Sequence, residues 1–299
     1  MLAATLLPIL AGCPSSPYPE VAVDLASSRP APTSAQKHRA SVLRFSVAAM
    51  QSPQDTFAAY SRLFERLEPK LEVEIELVQR RTYQEVNELL ATGQLDAALL
   101  CTGGYVELER RSPGAVEVVA VPVVHGRTTY QSYIIVPTAS PAREVPELSG
   151  KRFAFTDDLS LSGFGYPSHL LRKMGADAGT FFGSVTFTHS HDRSIDAVAK
   201  GVVDGAAVDS LVYDELVRSS AEVRAGTRVI HRSPPYGVAP VVVSTRLRPE
   251  RRAAIRDALL QLHEDPEARA ALGLVGFDRF SAPEPKLYAG AAALLGERP

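Results

Sequence analysis

Between Asp157 and Gly163 the chain reads Asp-Asp-Leu-Ser-Leu-Ser-Gly, with two hydroxyls and a glycine where a strand is expected to give way to a helix. Such a turn presents free backbone N–H groups, the positive end of a helix dipole and the hydroxyls of Ser160 and Ser162, donors that together suit an oxyanion. An ordinary helix start capped by Ser162 uses the same residues. Further on, Thr188-His189-Ser190-His191-Asp192-Arg193-Ser194 again lies between an expected strand and a helix. There His191 can donate to an anion at the helix entrance with Ser190 or Asp192 as cap, or can simply neighbour that cap. A metal reading of His189, His191 and Asp192 lacks a third, distant ligand at a fitting spacing, so no metal is expected. A third group, Tyr83, Tyr105, Tyr130 and Tyr133, offers hydroxyl donors on apolar rings, which suits a dry cleft and equally suits half-buried packing. The motifs of common enzymes are missing: there is no G-x-S-x-G, H-E-x-x-H or G-x-x-x-x-G-K-[ST].

The elements that position these residues follow from periodicity. Val42 to Val47 alternates as a strand, and a helical stretch carries Tyr60, Leu63, Phe64 and Leu67. Val73 to Val78 reads as a second strand. The capping box Thr82-Tyr83-Gln84-Glu85 opens a helix that Gly93 closes, and Leu95 to Cys101 is a third, buried strand. This alternation predicts βαβ units and a parallel sheet. A strand at Val116 to Val121 and an extended run from Ser132 to Val136 lead to Pro137-Thr138-Ala139-Ser140-Pro141, which reads as a linker. The pattern then restarts with Arg152 to Phe155, a helix to about Met174, a strand near Val185, a helix at Ile195 to Lys200 and a strand at Gly205 to Val208. Ser233-Pro234-Pro235-Tyr236-Gly237 interrupts, a strand runs from Val238 to Ser244, and helical sequence follows. No internal repeat of fixed period is visible.

With 299 residues, 45% of them hydrophobic, the chain has the material for two moderate cores. A net charge of -2, with no basic stripe, excludes nucleic acid as an expected partner. Met1 to Gly12 is an uncharged apolar run ending in Leu10-Ala11-Gly12-Cys13, which resembles a bacterial lipobox, although none of residues 1 to 12 is Lys or Arg. The run is too short to span a bilayer. Residues 1–12 are therefore expected to be a lipoprotein signal peptide, Cys13 the lipidated residue, and 13–40, rich in Pro, Ser and Ala, a disordered tether. Cys101 then has no internal disulfide partner, and it reads as a small buried hydrophobe at a strand end.

Several segments together resemble the phosphate/phosphite/phosphonate-binding components of ABC transporters. They include Leu43-Arg44-Phe45-Ser46-Val47, Gly93-Gln94-Leu95-Asp96-Ala97-Ala98, Tyr130-Gln131-Ser132-Tyr133-Ile134-Ile135-Val136 and Leu148 to Phe155. The Ser160 to Gly163 turn, His191 to Val198, Gly201 to Ser210 and Ser233 to Gly237 complete the set, and the resemblance covers nearly everything from Leu43 to Tyr288. It implies an α/β, two-lobe type II periplasmic-binding-protein fold with a ligand cleft between hinged lobes: 41–137 plus 238–299 as lobe 1 and 138–237 as lobe 2. It also implies an oxyanion held by Tyr83, Tyr130, Ser160, Leu161, Ser162 and His191, with Leu161 standing where the family has Thr. Asp209 lies near a position that meets the amine of aminoalkylphosphonates. The Ser233 to Gly237 segment offers no second carboxylate, so phosphate, phosphite or a short phosphonate is the expected ligand, and a protonated oxygen of it could donate to Asp209. The expected function is non-enzymatic: an extracytoplasmic, lipid-anchored, monomeric binding protein, without cofactor, that delivers its ligand to an ABC permease. A sensor feeding a signalling partner, and a metal-dependent phosphoester hydrolase using His191 and Asp192, are the alternatives.

Overall fold

The computed structural model describes residues 41–48 and 53–296; the expected signal peptide, Cys13 and the tether lie outside the described residues. In chain order the strands are β1 (Ser41–Val47), β2 (Val73–Leu77), β3 (Ala97–Leu99), β4 (Val116–Val123), β5 (Thr129–Tyr130), β6 (Ser132–Pro137) and β7 (Arg152–Phe155). They continue with β8 (Ser184–Phe187), β9 (Gly205–Asp209), β10 (Thr227–Arg232), β11 (Tyr236–Gly237), β12 (Val241–Ser244) and β13 (Arg279–Ser281). One sheet has the order β13-β4-β12-β3-β1-β2 and a second the order β10-β6-β9-β7-β8. A short ribbon pairs β5 with β11 where the chain passes between the sheets.

Both sheets are covered on both faces, which is why their central strands read as continuous apolar runs instead of alternating ones. Along β3 and its continuation, Ala97 and Leu99 pack with Phe45, Leu63 and Phe64, whereas Ala98 and Leu100 pack with Val86, Leu90 and Leu108. The second sheet repeats the device: Ala206 and Val208 face Ile195, Val198 and Tyr213, while Ala207 faces Phe153, Phe155 and Leu148. The side-chain period of two in a strand divides each lobe into two half-cores in this way.

The two sheets are also built to one plan. In the first, β1 runs parallel to β2 and β3, and β12 lies antiparallel between β3 and β4. In the second, β7 runs parallel to β8 and β9, and β6 lies antiparallel between β9 and β10. The correspondence reaches individual side chains. Arg44 donates through its backbone N–H (2.8 Å) and guanidinium to Asp96, and from the guanidinium to the Gly93 carbonyl. Arg152 makes the same bonds to Asp204 (backbone N–H 2.9 Å) and the Gly201 carbonyl. Each member of the second set stands 108 positions after its counterpart (44 to 152, 93 to 201, 96 to 204). The helices Tyr83–Thr92 and Thr102–Arg111 likewise begin 108 positions before His191–Ala199 and Ser210–Ser219. A correspondence at a constant offset of 108 positions thus stands against the expectation of no internal repeat of fixed period. The repeat is carried by frame-holding residues separated by variable sequence, so it has no short period to detect.

Two further expectations shift. β6, placed by sequence in the first lobe, is a central strand of the second sheet, so the first passage between lobes falls at Tyr130–Ser132 and not at Pro137. The prolines at 137 and 141 flank a loop of the second lobe, where Thr138 N–H donates to the Gly226 carbonyl. In the C-terminal segment, β12 and β13 complete the first sheet.

Candidate ligand-binding site

The C-terminal ends of β1, β3, β7 and β9 and the helices that follow them meet between the sheets, where open α/β sheets place their ligands. On the first-lobe side, Thr82 caps the Tyr83–Thr92 helix by the expected capping box, with its hydroxyl accepting from Glu85 N–H and the Glu85 carboxylate accepting from Thr82 N–H. That cap fixes Tyr83 as the first helical residue. Its side chain is 1% exposed, and its hydroxyl has no hydrogen-bond partner among the described residues. Burial first, then the nearby Cys101, Asp157 and Asp209, push its pKa well above 10, so the phenol stays a neutral donor.

On the second-lobe side, Ser160 caps the turn Leu161–Gly165 by accepting from Gly163 N–H at 2.9 Å. The cap is thus Ser160 rather than Ser162. This frees the Ser162 hydroxyl, which is buried and has no hydrogen-bond partner among the described residues, while its carbonyl accepts from the Ser132 hydroxyl at 2.6 Å. Gly163 is required here: a Cβ on it would stand 2.6 Å from Thr156 Cβ. Leu161 is fully buried, and its side chain packs with Val121, Tyr130, Tyr166 and Val238.

His191 opens the His191–Ala199 helix and is 1% exposed. Its Nδ1 accepts from the backbone N–H of Asp209 at 3.0 Å and lies 3.1 Å from the Thr156 hydroxyl. An Nδ1 that accepts from an amide carries no proton, so the proton of the neutral ring is on Nε2, a buried donor with no partner among the described residues. Burial lowers the pKa to about 3, which keeps the ring neutral. His189 does not join it: β8 ends at Phe187, His189 takes a left-handed φ of 61°, and its side chain is exposed. Alternation along a strand therefore does not apply, and no cluster of three His, Cys, Asp or Glu fit to hold a metal occurs among the described residues.

Tyr130 and Asp209 complete the arrangement. Burial drives the Tyr130 phenol well above its ordinary pKa; Cys101 and Asp209 add to this, while the Thr102 and Ser162 hydroxyls act against it. Asp209 caps the Ser210–Ser219 helix through Oδ1, which accepts from Leu211 N–H at 2.7 Å, and burial raises its carboxyl to about 7. An ionised Asp209 nearby thus adds to the burial that disfavours ionisation of Tyr83, Tyr130 and Cys101. Tyr130 and Asp209 also line a cavity of about 180 Å³ walled by Val47, Leu99, Val124 and Leu211. The other two tyrosines stand elsewhere: Tyr105 packs on Tyr288 at 4.9 Å, and Tyr133 packs on Tyr213 beneath Arg232.

Sequence reasoning did not single out Asp157 as a bridge. Its carboxylate accepts from Leu159 N–H in its own turn at 2.9 Å and from the backbone N–H of Tyr83, in the other lobe, at 3.2 Å. It therefore sits at the positive end of the Tyr83–Thr92 helix and ties the lobes together. Thr156, which steadies His191, was also missed. Only its position beside the quoted turn could have signalled it.

Two sheets of one connectivity, crossed twice by the chain, define a two-lobe periplasmic-binding-protein fold of type II. Residues 45–288 match the family described as "ABC transporter, phosphonate, periplasmic substrate-binding protein", and the chain belongs to this family. The phosphate-import protein PhnD of Mycolicibacterium smegmatis is 28% identical over 210 residues, 67% of this chain; the chain spans 64% of that relative's length. Among solved structures, a binding protein of an ABC phosphonate transporter from Pseudomonas aeruginosa superimposes with a TM-score of 0.79 at 20% identity, covering 85% of each chain. PhnD1 from Prochlorococcus marinus (MIT 9301), solved with methylphosphonate, gives 0.76 at 19% identity, covering 85% of this chain and 96% of the other. At these identities the superpositions speak to the fold.

Proposed function

We propose that this protein is the solute-binding component of an ABC importer and closes its lobes on a small phosphorus oxyanion, a short phosphonate, phosphite or phosphate, which it hands to a membrane permease. The observation that carries this reading is that three buried donors contributed by two lobes, Tyr83 Oη, Ser162 Oγ and His191 Nε2, each lack a partner among the described residues. A buried donor left unpaired costs about 1–3 kcal/mol, so a ligand that satisfies all three is selected over one that does not. Tyr130 and the Ser160 turn belong to the same pocket in this reading. Leu161 contributes no side-chain donor, and Asp209, protonated over part of the neutral range, meets a ligand oxygen. In the Nε2-protonated tautomer of His191 the lone pair is on Nδ1, where it accepts from the Asp209 amide, and Nε2 has none with which to take a proton, which favours binding over hydrolysis. Cys13 is proposed as the lipid-bearing residue that tethers a monomeric protein to the outer face of a cell membrane. Among the described residues no helix is long and apolar enough to cross one.

Isothermal titration with phosphate, phosphite, methylphosphonate, 2-aminoethylphosphonate and sulfate tests this. Saturable binding of a phosphorus oxyanion, with sulfate much weaker, is expected. Absence of binding to every phosphorus compound overturns the assignment.

A further inference from the structure

The internal repeat places Cys101, 108 positions before Asp209, at the matching point of the first lobe: the end of a central strand and the cap position of the helix that follows. Its side chain packs with Ala48, Tyr83 and Leu159. The backbone N–H groups of Leu161, Gly103 and Gly104 point at its sulfur, lowering a pKa that burial nevertheless raises to about 11. Leu159 and Leu161 belong to the second lobe, whose backbone comes so close that a Cβ on Gly103 would lie 2.7 Å from the Leu161 nitrogen. Part of the cover over the thiol is thus supplied from across the cleft, the rest by Ala48 and Tyr83 of the first lobe. A second observation points to the same spot: the Tyr83 side chain that packs against Cys101 carries a buried hydroxyl with no partner among the described residues.

We infer that Cys101 lines the ligand site as a thiol exposed only when the lobes part, so that its covalent modification and ligand binding exclude each other. The inference rests on the binding function proposed above. Opening removes the second-lobe cover and its desolvation while leaving Gly103 and Gly104 N–H at the helix start, so the thiolate becomes more available in the open form. With iodoacetamide the thiolate attacks the methylene carbon, the S–C bond forms, iodide leaves and the thiol proton passes to solvent. The amide group then occupies space between Tyr83 and Leu159 that closure requires.

The test follows iodoacetamide labelling of the full chain by mass spectrometry of the Cys101 peptide, which separates it from Cys13. In the ligand-free protein, Cys101 is expected to react within about tenfold of its rate in the guanidinium-unfolded chain, as a low-energy opening allows. A rate about 10³-fold slower or more, the limit set by global unfolding, marks a permanent core residue and overturns the inference whether or not any ligand binds. Methylphosphonate or phosphate, whichever titrates calorimetrically into the same sample, should slow labelling at least about tenfold, since ligand adds RT ln(1 + [L]/Kd) to the closed form. Binding without protection sinks the thiol inference and leaves the binding function standing. Absence of binding sinks that function, and the ligand-free rate alone then decides the thiol.

Discussion

Asp209 gives its backbone N–H to Nδ1 of His191 at 3.0 Å, and this bond determines which face of the imidazole is a donor. Replacing His191 with Ala removes both ends of that relay. The Asp209 amide loses its acceptor and the cleft loses the Nε2 donor. The Kd for the bound oxyanion should rise about ten- to a hundredfold, from about 1–3 kcal/mol per unpaired group, and the melting temperature of the ligand-free protein should fall as well. Titration calorimetry and thermal melts read the two effects separately, and an unchanged Kd removes His191 from the site.

Tyr83→Phe separates stability from function. Its hydroxyl is buried and has no partner among the described residues, so deleting it relieves a desolvation cost without opening a cavity. We expect an unchanged or higher melting temperature together with about a tenfold or greater loss of affinity. A drop in stability with unaltered affinity means that Tyr83 serves packing alone.

Asp209 and His191 couple stability to pH with opposite signs. The Asp209 carboxyl is raised from 3.8 to about 7, so its favourable contribution is complete below pH 3.8 and is lost as pH rises through 7. The His191 ring is lowered from 6.5 to about 3, so its contribution is complete above 6.5 and is lost as pH falls through 3. The two partly offset in the wild type. Asp209→Asn keeps the helix cap and deletes only the first, so the stability of the variant relative to wild type should climb from pH 4 to pH 7.5, with an upper bound of about 4 kcal/mol. Paired melts across that range check it, and a constant difference refutes the burial argument.

Asp157→Ala cuts the one carboxylate that reaches from the second lobe to the Tyr83 amide of the first. Loosening the closed form should appear as about a tenfold faster release of ligand, with the on-rate little altered, because mutational effects on affinity fall mainly on dissociation. Stopped-flow dissociation measures this. An unaltered off-rate shows that the bond does not hold the lobes.

Much of this architecture is legible in the chain because it rests on local rules. Thr82-x-x-Glu85 and Gly93 bracket a helix by capping chemistry, and the apolar run at 95 to 101 yields the strand Ala97–Leu99 because both its faces are covered. What escaped reading depends on distant partners. The edge of the second lobe is set by β6 pairing with β9 and β10, which lie over 60 residues away, so local proline content misplaces it. Leu161 stands in a turn of donors, yet its side chain is captured by Tyr130, Tyr166 and Val238, a choice made by tertiary packing. Asp157 looked like part of a turn, and its reach to Tyr83 exists only once two lobes meet.

The duplicated frame has a consequence for whatever the cleft holds. The two halves share a scaffold, Arg44 with Asp96 and Arg152 with Asp204, and differ in the reagents at matching stations: a phenol at 83 against an imidazole at 191, a thiol at 101 against a carboxyl at 209. Two identical palms would grip a tetrahedral ion in either of two equivalent poses. Palms of unlike chemistry give the guest a head and a tail, so a molecule with one carbon-bearing corner can be seated in a single orientation.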